Sequence, residues 1–238
     1  MKAMLLAAGR GERMHALTET RPKPLIEVAG RTLIEHQIVR LRASGFDDLV
    51  VNLGYLGQMI RSFLGDGARF GVRIRYSDEG QHILGTGGGI RQALDLLGPA
   101  PILVVNADVW TTFPYARLRE RLRPSDVAHL VLVPNPTHVP NGDFALPSGR
   151  VARGGPTRFT FSGVGVYRPA IFAGPRDVAF SLIGPVDKAA ERAAVSGEIY
   201  SGEWVDVGTP ERLDALATAQ ATAAVTPWPA PTPNRVGA

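Results

Sequence analysis

Short apolar runs alternate with amphipathic stretches along the first half of the chain. Ala3–Ala8, Asp48–Asn52, Arg73–Tyr76, Ile102–Asn106 and Val127–Val133 read as strands. Ile102–Asn106 is apolar enough to be covered on both faces. Between them, Thr32–Ser44 places Leu33, Ile34, Ile38 and Leu41 at helical spacing, with Gly45 just past its end. Gln58–Leu64, Gly88–Leu97 and Pro114–Arg121 also read as helices. Strand and helix in strict alternation predict an α/β protein with a doubly wound, mainly parallel, Rossmann-like sheet.

After Pro134 the pattern changes. Asn135–Asp143 is rich in Pro, Asn and Gly and reads as loop. Shorter strands are expected at Phe144–Pro147, Thr157–Phe161 and Val164–Tyr167, forming a small antiparallel extension over the site. A helix over Ala189–Ser196, a strand at Glu203–Val207 and a last helix over Pro210–Ala223 complete residues 1–223 as one domain. Residues 224–238 are rich in Pro and Ala, with alternate prolines from Pro227 to Pro233, and are expected to be a disordered tail. There is no internal repeat.

The first strand breaks into Gly9-Arg10-Gly11-Glu12-Arg13-Met14, followed shortly by Arg21-Pro22-Lys23-Pro24-Leu25. Glycines let backbone N–H groups approach an anion, and Arg13 and Lys23 add full positive charge at the same place. A nucleoside triphosphate suits that combination, although a plain strand–turn–helix with solvated arginines has the same outline. Neither Gly-x4-Gly-Lys-Ser/Thr nor Gly-x-Gly-x-x-Gly follows the strand, since position 14 is Met. A P-loop NTPase and a simple dinucleotide oxidoreductase are both disfavoured.

Composition narrows the setting. Of the 238 residues, 45% are hydrophobic and 20% charged, as in ordinary soluble domains. No apolar run approaches the roughly 18 residues that span a bilayer. The opening apolar stretch leads straight into the glycine loop, so no signal peptide is expected. With no cysteine, disulfides and thiolate metal sites are excluded. A cytoplasmic protein without a membrane partner is the expectation. The net charge of +4 is spread along the chain without an aromatic platform, which argues for phosphorylated small molecules over nucleic acid.

Two acids stand out. Asp108 follows the most apolar strand in Val104-Val105-Asn106-Ala107-Asp108, where an open α/β sheet faces its ligand crevice. An acid there suits Mg2+, which favours carboxylates plus substrate phosphates; a turn cap is the alternative. Asp206 interrupts the apolar strand of Trp204-Val205-Asp206-Val207-Gly208-Thr209-Pro210, where an unpaired charge is costly. Taken alone, this second segment also fits a helix start capped by Thr209.

Leu6 to Met14 together with Arg21-Pro22-Lys23-Pro24-Leu25 resembles the signature of the sugar-1-phosphate nucleotidylyltransferases. Asn106-x-Asp108 and Trp204-x-Asp206-x-Gly208-Thr209 match that family's two metal-binding motifs residue for residue. The chain departs from the signature at His15-Ala16, where the family often has Arg-Pro. The resemblance implies nucleotidyl transfer from an NTP to a sugar 1-phosphate, with Mg2+ held by Asp108 and Asp206. Arg13, Lys23, Asp108 and Asp206 become the catalytic set. Ala8, Gly9, Gly11, Glu12, Arg13, Lys23, Gly85, Thr86 and Asn106 become the nucleotide-binding set, with Glu79 or Gln81 able to read the base edge. The glycines of Leu84-Gly85-Thr86-Gly87-Gly88-Gly89 either serve close backbone contact or form a loop without contacts.

Asn135-Pro136 with Gly142-Asp143-Phe144, and Phe161-Ser162-Gly163-Val164-Gly165-Val166-Tyr167, resemble one branch of the family, the N-acetylmuramate α-1-phosphate uridylyltransferases of peptidoglycan recycling. This implies UTP as donor, an NDP-sugar product and sugar contacts at Asn141, Gly142, Asp143 and Gly163. The branch usually has Leu-Glu-Thr where Leu84-Gly85-Thr86 stand. Leu-Gly-Thr is common in relatives using other sugars and in guanylyltransferases, so a guanylyltransferase for mannose or heptose 1-phosphate is the first alternative. A non-catalytic sugar-nucleotide-sensing subunit is the second. A monomer or small homo-oligomer is expected.

Overall fold

The computed structural model describes residues 1–80, 84–175 and 178–222. Gln81, Ala223 and the tail expected over 224–238 lie outside the described residues. In chain order the strands and helices are β1 (Lys2–Leu6), β2 (Glu27–Val28), β3 (Arg31–Thr32), α1 (Leu33–Ala43), β4 (Asp48–Leu53), α2 (Gly57–Leu64), β5 (Arg73–Asp78), α3 (Gly85–Gln92), α4 (Leu94–Leu97), β6 (Ile102–Asn106), β7 (Val109–Thr111), β8 (Ala128–Val133), β9 (Thr160–Tyr167), α5 (Ile183–Ala190), β10 (Val195–Ile199), β11 (Trp204–Asp206) and α6 (Pro210–Thr222).

Seven strands form the main sheet in the order β10-β8-β9-β6-β1-β4-β5. All neighbours pair in parallel except β9, which runs antiparallel to both β6 and β8. The α/β, mainly parallel architecture expected from the sequence is therefore present. The central strands β1, β4 and β6 are mostly apolar because both faces are covered: Leu5, Leu49, Val51 and Leu103 feed one buried cluster, and Met4, Val50, Ile102 and Val104 feed the other. Helix α1 begins with a capping box between Thr32 and Glu35 and buries Leu33, Ile34, Ile38 and Leu41, as its periodicity required.

Four expectations change. The strands expected at Thr157–Phe161 and Val164–Tyr167 are one strand, β9, inside the main sheet rather than an extension over the site. Its register against β8 shifts between Val131, paired with Val164, and Leu132, paired with Phe161, so Ser162 and Gly163 form a bulge that disguises its continuity. Phe144 and Ala145 make only isolated bridges, to Phe159 and Ala152. The helix expected over Ala189–Ser196 lies earlier, as α5, because Leu182, Val186 and Ala189 form its buried stripe. Val195–Ile199 is instead the edge strand β10. The region expected as helix at Pro114–Arg121 is a 3-10 turn over Tyr115–Glu120.

The small antiparallel element beside the site is the pair β7 and β11, with Asp206 opposite Val109. Gln37, fully buried on α1, donates to Val109 O and accepts from Tyr115 Oη at 2.5 Å, which anchors β7. Among the described residues no helix is long and apolar enough to cross a membrane.

Candidate active site

Leu6 and Asn106 end the neighbouring strands β1 and β6 in register. Strand connections diverge here, β4 packing on one side of β1 and β6 on the other. Such a switch point opens a crevice at the carboxyl ends of the strands. A cavity of about 830 Å3 occupies it, lined by Leu6 to Arg13, Lys23, Pro24, Asn52, Gly54, Tyr55, Glu79, Gly80, Gly85, Thr86, Asn106, Asp108 and Gly208.

Each nucleotide-site residue expected from the sequence lines this cavity: Ala8, Gly9, Gly11, Glu12, Arg13, Lys23, Gly85, Thr86 and Asn106. Gly11 adopts φ +66 at the start of the 3-10 turn over Glu12–Thr18. A Cβ there would sit 3.1 Å from Lys23 Cβ, so the glycine makes room for the lysine stem. Met14 is fully buried and pins the loop to Ile26, Val28, Leu33, Trp110, Val207 and Leu216. His15, where the family often has Arg, carries φ 49 and ψ −130 and kinks that turn. Tyr55 Oη donates towards Thr18 O at 2.9 Å and Glu19 O at 3.0 Å, bracing the far side of the turn. Arg13 is exposed and has no ion-pair partner among the described residues.

Lys23 is only 6% exposed, yet its ammonium reaches the cavity. Nζ lies 2.5 Å from Asp108 Oδ2. Asp108 O accepts from Val207 N at 3.1 Å, next to the pairing of Val109 with Asp206. The two aspartates, far apart in sequence, thus stand on adjoining backbone. Asp108 lines the cavity, whereas Asp206 does not; Gly208, two residues on, does. Arg212 Nη1 donates to Asp206 Oδ1, and His138 Nε2 stands 3.3 Å from Asp206 Oδ2.

The carboxylates of Asp108 and Asp206 suit a hard cation. Among the described residues no group of three or more His, Cys, Asp or Glu gathers as a metal cage. Two carboxylates suffice for Mg2+, which keeps waters and takes substrate phosphates as its remaining ligands. The pair fits an ion that arrives with a triphosphate.

The glycine-rich segment does two jobs. Gly85 opens α3 with φ +68 and lines the cavity. Gly87 and Gly88 turn away from it: their N–H groups donate to Phe180 O at 3.0 and 3.3 Å, and a Cβ on Gly87 would overlap the Phe180 ring. Thr86 Oγ1 accepts from Leu182 N at 2.9 Å. Close backbone approach accounts for these glycines better than a loop without contacts.

Sequence reasoning missed Asn52 and gave Glu79 only as a candidate reader of the base edge. Asn52 Oδ1 accepts from Ala7 N at 2.7 Å while its Nδ2 donates to Glu79 Oε1 at 2.6 Å. Glu79 Oε2 accepts from Leu84 N at 3.3 Å. Burial pushes the Glu79 carboxyl up, partly offset by those donors. The pair ties the nucleotide loop to the start of α3. A buried Asn and Glu at the ends of β4 and β5 were the available signal.

The four expected sugar residues lie outside the cavity lining. Asn141 is exposed. Gly142, at φ +57, packs on Asn135 and Arg158, and Asp143 Oδ2 accepts from Phe161 N at 2.8 Å. They shape the loop. Gly163, at φ +78, touches the site indirectly, since a Cβ there would overlap the Asn106 amide.

A site of this form, with a glycine-rich loop, a buried lysine and two carboxylates at a sheet switch point, is that of an enzyme acting on phosphorylated substrates. The chain belongs to the nucleotidyl transferase family, whose model matches residues 2–142. It is 48% identical over 220 residues to the N-acetylmuramate alpha-1-phosphate uridylyltransferase of Neisseria meningitidis, covering 90% of this chain and 95% of that protein. Against the enzyme of the same name from Caulobacter vibrioides it is 34% identical, over 88% and 92% of the two chains. The fold matches a putative glucose-1-phosphate thymidylyltransferase from Bacillus anthracis with a TM-score of 0.80 at 20% identity, over 92% and 94% of the chains. The protein is a nucleotidyltransferase acting on a sugar 1-phosphate.

Proposed function

We propose that the chain transfers uridylyl from UTP to N-acetylmuramate α-1-phosphate, releasing pyrophosphate and forming an NDP-sugar for cell-wall recycling in the cytoplasm. The observation that carries this is near full-length similarity to two enzymes of that name, together with Arg13, Lys23 and Asp108 lining one cavity and Asp206 on the backbone adjoining Asp108.

The acceptor phosphate is ionised at neutral pH, so no general base is required. Repulsion between two anions is the barrier, and fixed positive charge with in-line positioning lowers it. Lys23, held by its buried stem, presents its ammonium where the triphosphate and departing pyrophosphate would lie. Arg13 adds an exposed guanidinium at the cavity edge. Gly9 and Gly11 let the loop backbone approach the phosphates. Asn52 and Glu79 fix that loop against α3, which shapes the base pocket. Mg2+, held by Asp108 and Asp206, would neutralise charge on the reacting oxygens.

One observation keeps the guanylyltransferase alternative. Where the uridylyltransferase branch usually has Glu, Gly85 carries φ +68, and a Cβ would lie 2.8 Å from Phe180 O. No side chain fits without movement of that wall. Pyrophosphate release across a panel of NTPs and sugar 1-phosphates decides: UTP with N-acetylmuramate α-1-phosphate should exceed every GTP combination by at least about tenfold, or about 1.4 kcal/mol in transition-state binding. A preference for GTP overturns the assignment, and no turnover with any pair returns the sensor reading.

A further inference from the structure

Both carboxylates expected to hold the metal are already paired with a cation of the chain. Lys23 holds Asp108, and Arg212 holds Asp206. The two cations come from opposite ends of the sequence, Lys23 from the amino-terminal segment and Arg212 from the first turn of α6. The guanidinium lies directly against Gly208, since a Cβ on Gly208 would overlap Arg212 Nη2, and Gly208 lines the cavity. Its Nη1 also meets His138 Nε2 at 2.5 Å, on the loop between β8 and β9. Arg212 is always charged, so His138 Nε2 can accept from it or donate to Asp206, but not both at once.

Occupation of Asp206 by a cation would leave Arg212 without its counter-ion. The Arg212 side chain is only 18% exposed, so water cannot fully replace that partner. Some anion must take over. The triphosphate answers Lys23 and the glycine loop on the other side of the carboxylate pair. The acceptor brings the second anion, and a planar guanidinium fork matches a phosphate bidentately.

We infer that Arg212 is an acceptor-binding residue: it holds Asp206 in the free protein and exchanges it for the phosphate of the sugar 1-phosphate. This rests on the function proposed above. His138, sharing the same nitrogen, links the loop between β8 and β9 to that exchange. The two carboxylate–cation pairs thereby become two phosphate–cation pairs, without either charge being left bare.

The test compares Arg212→Met and Arg212→Lys with the full-length wild type. Binding of UTP with MgCl2, and of N-acetylmuramate α-1-phosphate with MgCl2 and a non-hydrolysable UTP analogue, is measured by titration calorimetry. KM for each substrate is measured by pyrophosphate release. Arg212→Met should raise both Kd and KM for the sugar phosphate by about 10- to 100-fold, the scale of one charged hydrogen bond. UTP binding should stay within about twofold, and Arg212→Lys should recover part of the loss by restoring charge without the fork. A brace that merely positions Asp206 gives another pattern: UTP and sugar-phosphate affinity fall together, or Tm falls while the sugar KM stays put. Either result overturns the inference. Wild-type protein that uses no sugar 1-phosphate overturns the functional reading itself, whereas wild-type turnover with an unshifted sugar KM in both variants overturns only the role of Arg212.

Discussion

Lys23 illustrates how one residue carries two demands. A lysine stem buried to 6% exposure desolvates part of a charged side chain, a cost that Asp108 offsets by pairing with Nζ. Asp108 itself is 37% exposed, so the pair adds little to folding. Function and stability therefore separate at this position. Lys23→Met keeps the stem's volume against Gly11 but removes the charge. It should lower kcat by on the order of 10² while moving Tm by only about 1–3 °C, read by pyrophosphate release and thermal melting. A loss of stability without a loss of turnover would assign Lys23 to the fold alone. The legible part of the site is concentrated in residues of this kind. Arg13, Lys23, Asp108 and Asp206 announce themselves because charge beside apolar strands has few structural uses. Asn52 stays hidden, because an amide at a strand end has many.

At the scale of elements, the glycines before and within α3 show what a single sequence conceals. Replacing a helical glycine by alanine normally stabilises by about 0.5–1 kcal/mol. Here a Cβ on Gly87 would enter the Phe180 ring, a partner more than ninety residues away. Gly87→Ala should thus destabilise by about 1–3 kcal/mol, the range for overpacking, and weaken UTP binding as the wall behind Gly85 shifts. Adding Phe180→Ala should return part of both losses, which a double-mutant cycle of melting temperatures and UTP affinities measures. If Gly87→Ala is neutral or stabilising, the packing of 178–182 on α3 does not shape the pocket. The same dependence on distant partners explains where element reading failed. Strand β9 looked like two pieces because its bulge at Ser162-Gly163 breaks the period of two, and only its pairing with β8 shows the strand to be continuous. Helix α5 began earlier than expected because Gly184 and Pro185 disguise its first turn, a position where proline is tolerated. The regular parallel strands were legible, since burial on both faces writes itself into composition.

For the whole molecule, the sheet separates chemistry from support. The cavity lies at the ends of β1, β4, β5 and β6, while the opposite edge, β8 with β10, carries a polar network that the proposed reaction leaves unused. His129 Nδ1 meets Ser196 Oγ at 2.9 Å, and His129 Nε2 stands 3.5 Å from Glu198 Oε1. Arg117 reaches Glu198 Oε2 at 2.6 Å and Arg121 reaches Oε1 at 3.7 Å. This network fastens the edge strand from which the chain proceeds to β11 and Asp206, so its integrity bears on the site from a distance. The His129 imidazole, with the two arginines, holds the Glu198 carboxyl below the ordinary carboxylate range despite its partial burial. A carboxyl with a depressed folded-state pKa contributes stability that is complete above its unfolded value, near 4.3, and is lost as pH falls through the folded value. Glu198→Gln should therefore cost about 1.5–3 kcal/mol at pH 7, roughly 3–12 °C in Tm for a chain of this size. As pH falls below the unfolded value and on through the lowered folded one, the two melting curves should converge, because protonation removes the same charge from the wild type. A gap that persists undiminished at pH 3 would mean that shape, not charge, secures β10. In that case the edge strand is held by its pairing with β8 alone, and the polar network is only its surface.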